Sequence, residues 1–346
     1  MRISYVLLPF SALLVFLTTQ ASAQFIDDKP AAAAGGDSLL RNPRTMYLQV
    51  GINVQAGGGA LKGVAGTAPV PLDWDEQKVR LIGEERTPSV RGLTYRTVGN
   101  TTKQMVMAAP MVPANSAAKV LLTFELTRYE IVPPADNSQF RIPDRVEPAL
   151  RPYLGASPYI ETRNVKIRDL AKKLFAAKEG ATDWEKVEAL YDGVRERVKY
   201  VNGKLKGALA ALNDGTGDCE EMTSLFIAFC RVNGIPARTV WVPEHCYPEF
   251  YLVDKEGQGH WFPCQAAGDR AFGCMPDVRP ILQKGDNFII PDNPKPQRYV
   301  AETLRVKDAV GGHKPRVEFI CKPVNAPPAA NGAPAAAAPA AGPNPF

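Results

Sequence analysis

The chain has 346 residues, enough for about two domains of ordinary size, and its 45% hydrophobic and 22% charged residues are those of a folded protein. A formal net charge of +5, with 41 basic residues scattered along the chain, gives no nucleic-acid footprint and excludes a basic binding tract.

Residues 1–23 read as a secretory signal. Arg2 supplies the positive start, Val6 to Leu17 the apolar run, and Ala21-Ser22-Ala23 the small residues of a cleavage site, so the mature chain is expected to begin at Gln24. The apolar run is broken by Pro9 and Ser11 and falls short of the roughly 20 residues of a spanning helix. After cleavage the protein is expected to be secreted or periplasmic and not an integral membrane protein. Residues 24–44 are rich in Ala and Gly and read as a flexible leader.

Over residues 45–135 the pattern has period two. Met46, Leu48, Val50, Ile52 and Val54 alternate with polar or small residues, and so do Val120, Leu122, Phe124 and Leu126, with shorter candidates around Val79 to Ile82 and Gln104 to Ala108. This predicts an antiparallel β-sandwich-like domain. A proline-rich stretch from Pro133 to Pro158 follows, and then the period changes. Ile167, Leu170, Leu174 and Phe175 share one helical face; Trp184, Val187, Leu190, Tyr191 and Val194 share another, with Thr182 or Asp183 as the N-cap.

The stretch "TGDCEEMTSLFIAFCRVNGIPAR" (216–238) predicts a third helix. Asp218 and Glu221 fit the form of a capping box, Met222, Leu225, Phe226, Phe229 and Cys230 make an apolar stripe, and Gly234 and Pro236 stop it. Cys219 then occupies the first helical position, where unpaired backbone N–H groups and the helix dipole favour a thiolate and can hold an oxyanion. Strand-like runs follow at Ala237 to Val242, Tyr247 to Val253 and His260 to Cys264. An Ala/Pro-rich disordered tail over 323–346 closes the chain, and the strands, helices and strands before it make an α+β fold.

Of the three histidines, His245 opens a strand 26 residues after Cys219 and is the candidate general base and acid. His260 and His313 read as ordinary side chains. The six cysteines, at 219, 230, 246, 264, 274 and 321, leave every pairing open in an exported chain, including a free Cys219. No Cys-x-x-Cys, histidine pair at ligand spacing or Asp-rich calcium loop points to a metal, and no cofactor is expected.

"GDCEEMTSLFIAFCRVNGIPAR", followed by "HCYPEFYL" and "HWFPCQ", resembles the transglutaminase-like superfamily of secreted bacterial proteins, a papain-related Cys-His-Asp fold. The resemblance spans about residues 158–275 and implies a transglutaminase-like core there, flanked by the β domain and by a C-terminal extension of that core over 276–322, with Cys219 as nucleophile and His245 as base. In its W-x-P-x-D register Trp261 and Pro263 lead to Gln265 where the family has Asp. An amide oxygen there can fix the histidine tautomer but brings no charge to an imidazolium. A hairpin centred on Gly257 would instead set Asp269 across from His245, with Pro248 and Pro263 distorting the strands. The resemblance further implies that Tyr200 can shape an oxyanion pocket together with the Cys219 backbone, and that Glu249 is a buried polar anchor.

Three functions fit these residues: hydrolysis of a peptide or other amide through a Cys219 thioester, transfer of the same acyl group to an amine so that proteins are cross-linked, and a non-catalytic binding module on the same fold. The expected partner is a protein or peptide of the cell envelope, with no nucleic acid.

Overall fold

The structure, a computed structural model, describes residues 39–177, 180–291 and 293–326. The signal segment, most of the expected leader and all but the start of the expected tail lie outside the described residues.

The first six strands are β1 (Leu40–Gln55), β2 (Leu61–Val70), β3 (Gln77–Arg86), β4 (Gly92–Val98), β5 (Thr102–Val112) and β6 (Ala117–Ile131). Their alternation does what the period-two pattern requires. Leu48, Val50, Ile52 and Val54 of β1 and Val120, Leu122, Phe124 and Leu126 of β6 turn one way, meet Leu61 and Val64 of β2 and Met105 and Met107 of β5, and are all buried.

The helical part follows: α1 (Val165–Ala176), α2 (Asp183–Arg197), β7 (Lys199–Tyr200), α3 (Ala208–Asp214), β8 (Thr216–Gly217) and α4 (Cys219–Val232). Thr182 caps α2 in a reciprocal box with Glu185. The chain then lays down β9 (Ala237–Val242), β10 (His245–Val253), β11 (Gly259–Gln265), β12 (Ala271–Phe272), β13 (Gln283–Lys284), β14 (Phe288–Ile290), β15 (Asn293–Gln297), β16 (Thr303–Ala309) and β17 (Arg316–Val324). An antiparallel sheet in the order β12-β11-β10-β9-β13 packs against α4. That helix is buried from Glu221 to Arg231, so it is the centre of the core and not an amphipathic cover. Trp184 of α2 stands edge-on to Phe262, Phe250 and Phe272 at centroid distances of 5.0, 5.7 and 5.2 Å, which locks α2 onto the sheet.

Three expected boundaries are corrected. Leu40 to Arg44, expected in the leader, open β1: Leu40 stands opposite Ile131, and Arg44 pairs with Glu130 at 2.7 Å. The stretch 276–322 is not one extension of the core. Its β13 joins the core sheet beside β9, but β16 and β17 return to the sandwich, giving sheets ordered β17-β1-β6-β3 and β16-β2-β5-β4. Pro323 and Val324, expected in the tail, finish β17 opposite Leu48 and Tyr47. The returning strands lie on the outer edges and are largely exposed, so they carry little of the apolar alternation by which a strand is read from sequence.

A buried ionic network joins sandwich and core. Lys284 of β13 lies between Glu76, just ahead of β3, at 2.8 Å and Glu249 of β10 at 2.9 Å; the other Glu249 oxygen accepts from Arg238, whose guanidinium lies 3.9 Å from the centroid of the Trp261 ring. Charges this deep are tolerated only because each has a partner. Lys284→Met strands Glu76 and Glu249 without their shared cation and is expected to cost about 3–5 kcal/mol in a denaturant titration. A loss below about 1 kcal/mol, the level of an exposed pair, would contradict a buried network.

Candidate active site

The turn ahead of α4 is built for close approach. A Cβ on Gly217 would meet the Cβ of Glu221 at 2.7 Å, so only glycine lets the chain enter the helix here. Asp218 caps the helix: its carboxylate accepts the N–H of Glu220 at 2.8 Å and that of Glu221, while Glu221 returns a carboxylate oxygen to the Asp218 N–H at 3.0 Å. The other Glu221 oxygen takes the Lys206 N–H at 2.9 Å, and the Met222 N–H goes to the Asp218 carbonyl. The N–H of Cys219 stands outside this set, at the first position of the helix.

His245 arrives from the other side. Strands β9 and β10 form a two-residue hairpin in which Val242 pairs with His245 across Pro243 and Glu244. Glu244 has φ +60°, a left-handed conformation that favours glycine, immediately before the histidine. Strain of this kind persists where the surrounding structure holds it, here through Arg279, which donates to the Pro243 carbonyl at 2.8 Å.

The two elements meet at sulfur. Cys219, half-buried at the start of α4, is hydrogen-bonded by the Cys246 thiol, by His245 and by the Cys246 backbone N–H. The Cys246 thiol contributes most. It outweighs the burial that opposes ionisation and, with the hydrogen bond and charge of His245, brings the Cys219 thiol down to about 4. Neighbouring carboxyls move the other way. Burial lifts Asp218 to about 6, helped by its hydrogen bond with Glu221, and burial lifts Glu220 to about 7 against the pull of its ion pair with Arg298.

Residues 168–266 match the model of the transglutaminase-like superfamily. A candidate cysteine protease from Cytophaga hutchinsonii shares the architecture at a TM-score of 0.55 and 17% identity, covering 83% of this chain and 93% of that one. Residues 168–266 form a transglutaminase-like domain. The periplasmic domain of TgpA from Pseudomonas aeruginosa, bound to ethylmercury, aligns at a TM-score of 0.32 and 15% identity over 67% of this chain and 77% of that one. A search of curated proteins finds no match.

Within the transglutaminase-like domain the expected hairpin register needs correction. The loop between β10 and β11 closes with Asp254 accepting from Glu256 at 3.0 Å and from Gln258 at 2.8 Å, and Gly257 takes φ +82°. Val253 therefore pairs with Gly259, and the hairpin centres on Glu256, not Gly257. The shift removes Asp269 from the position across from His245; it lies instead on the exposed turn between β11 and β12. The β10–β11 ladder stops at Glu249 and Pro263, since neither Pro263 nor Pro248 has an N–H to donate. Continued past its end, this register would set Gln265 across from Tyr247 and diagonal to His245, while the observed partner of Gln265 is Ala271 of β12. The Gln265 carbonyl accepts from the Tyr191 hydroxyl at 2.7 Å, and its amide nitrogen lies where a Cβ on Gly268 would meet it at 2.8 Å.

Asp277, not singled out from the sequence, interacts with His245. Met275 packs with Val242 and Tyr247 on the His245 end of the sheet, and Asp277 follows two residues later. Burial pushes the Asp277 carboxyl up, but Arg279, through hydrogen bonds at 2.8 and 2.9 Å and its charge, together with the charge of His245, pulls it below the usual range. The Arg279 guanidinium in turn feels Glu244 and Cys219. No family spacing flags this pair, which reaches the site because Arg128 of β6 holds the Arg279 carbonyl at 3.2 Å. Tyr200 pairs with Gly217 through β7 and β8; it is exposed, donates its hydroxyl to Asn202 at 2.8 Å, and has its pKa raised by desolvation and by the charges of Cys219 and Asp218, so its ionisation is disfavoured.

Because a depressed thiol pKa keeps the thiolate above that pKa and loses it below, Cys219 should be alkylated by iodoacetamide at a near-constant rate at neutral pH, falling to half near pH 4. His245→Ala should move that midpoint upward. An unaltered midpoint near about 8.5 in the parent protein would contradict the hydrogen-bonded thiolate.

Proposed function

We propose that the protein is an exported thiol enzyme that forms a thioester at Cys219 with an acyl group taken from a protein or peptide amide. The observation that carries this reading is the contact of Cys219 with His245 at the capped N-terminus of α4, with the thiol held near 4. The thiolate attacks the carbonyl carbon, and the Cys219 N–H, which the Asp218 and Glu221 cap leaves over, donates to the developing oxyanion. His245 protonates the leaving amine, then takes a proton from the water that cleaves the thioester. Tyr200 lies close enough to Cys219 to border the acyl pocket.

Gln265, diagonal to His245 in the continued register, is one candidate to hold the imidazole. Asp277, whose carboxylate is held by Arg279, is the other candidate and brings the charge that an amide lacks. Export to the periplasm or beyond rests on the sequence of residues 1–23. No helix among the described residues is long and apolar enough to cross a membrane.

Turnover of an amide-substrate library by the purified protein tests the reading. Cys219→Ala should abolish it, and His245→Ala should lower kcat by about 10²–10⁴. Turnover that survives Cys219→Ala would refute Cys219 as the nucleophile, and a parent protein inert to every amide while its thiol titrates normally would favour the non-catalytic binding module. A labelled primary amine separates hydrolysis, which releases free acid, from transfer, which incorporates the label. Asp277→Asn should lower kcat more than Gln265→Ala with KM unchanged; the reverse order would return the orienting role to Gln265.

A further inference from the structure

The residue after His245 is itself a cysteine, and the proposed acyl-transfer chemistry makes no covalent use of it. In β10 His245 is partly exposed and Cys246, directly after it, is buried. Cys246 faces α4: its Sγ is 3.9 Å from the Thr223 hydroxyl, and Thr223 lies one helical turn beyond Cys219 on the same side of α4. The Cys246 side chain is 1% exposed, and its thiol lies beside the Cys219 sulfur, whose ionisation it favours. All six cysteines are free thiols in the structure, so both sulfurs of this pair are reduced.

We propose that Cys219 and Cys246 form a reversible oxidation site, in which a peroxide oxidises Cys219 and Cys246 closes a disulfide with it. The inference rests on the reactive-thiolate reading of Cys219 but not on turnover of any substrate.

Each step balances. The Cys219 thiolate attacks one peroxide oxygen, the O–O bond breaks, and the departing hydroxide takes a proton to leave as water, so the sulfur becomes a sulfenic acid. The Cys246 sulfur then attacks the sulfenic sulfur; the S–S bond forms, the S–O bond breaks, and the hydroxyl leaves as a second water with the Cys246 proton. Two thiols lose two electrons in total and the peroxide gains them. Only Cys219 has to meet the oxidant, and it is half-buried at the site mouth, whereas Cys246 acts from inside the core without exposure. A resolving thiol already in contact with the sulfur shortens the life of the sulfenic acid and competes with further oxidation to sulfinic acid, which is not recovered by ordinary thiols. Cys230 and Cys264, also buried, belong to the hydrophobic core behind α4 and β11 and have no such contact with Cys219.

The test uses the full mature protein treated with hydrogen peroxide, alkylated under denaturing conditions and digested without reductant. The expected product is a cross-linked peptide pair whose fragmentation places the bridge at Cys219 and Cys246, with Cys219 labelling lost and then restored by dithiothreitol. In Cys246→Ser the same treatment should carry Cys219 to sulfinic acid, and dithiothreitol should restore none of the labelling. Accumulation of sulfinic acid in the parent protein while Cys246 stays open to alkylation, or a bridge from Cys219 to any other cysteine, would overturn the proposal. These readouts are masses and labelling, so they hold whether or not the amide library is turned over; a protein that bridges but never hydrolyses refutes the enzyme and keeps the oxidation site.

Discussion

A helix whose first turn is buried must satisfy its free N–H groups or pay for them in lost hydration, and α4 meets this constraint with its own acids. Asp218 and Glu221 absorb the donors around the first turn, and the Cys219 N–H is left over beside the thiol proposed as nucleophile. That economy places three carboxyl groups within three residues of a thiolate. The charges coexist because burial holds Asp218 and Glu220 in their neutral forms to about 6 and 7, while two thiol and backbone donors of Cys246 and the His245 ring share the charge on sulfur.

The far end of α4 is fixed just as firmly. Arg231 is buried, forms two hydrogen bonds to the Asp286 carboxylate at 2.8 Å each, and also donates to the Ala237 carbonyl, so the helix, the start of β9 and the segment after β13 move as one body. The sandwich stands behind this arrangement. Its Glu76 and Arg128 hold Lys284 and the Arg279 carbonyl, and Arg279 in turn binds the Asp277 carboxylate at 2.8 Å. The β region is therefore more than an adjacent module, since it braces the polypeptide on which the proposed orienting carboxylate rides.

In the proposed mechanism one hydrogen bond has two consequences. A thiol donor on the nucleophile keeps it ionised, which suits acyl transfer, but it also keeps a second sulfur in contact with the first, which suits disulfide formation. A serine at 246 would keep a donor and lose the second sulfur. The residue present thus couples activation of Cys219 to a route out of over-oxidation.

Sequence alone determined the pieces whose physics is local: the alternation of β1 and β6, the capping box at Asp218, and an N-cap for α2 that the structure gives to Thr182 and not Asp183. The family pattern added the meeting of helix and strand, which no local signal contains. What only the tertiary structure decided is everything set by long-range pairing. The edge strands β16 and β17 carry too little apolar alternation to announce their return to the sandwich. The register of β10 and β11 hung on one Asx turn at Asp254, where a shift of a single residue in the hairpin centre moved the partner of His245 by two and took Asp269 out of reach. Asp277 and the inward thiol of Cys246 became visible only once strand direction and packing were known, because the charge on an imidazole and the donor on a sulfur come from residues close in space and not from a spacing in the chain.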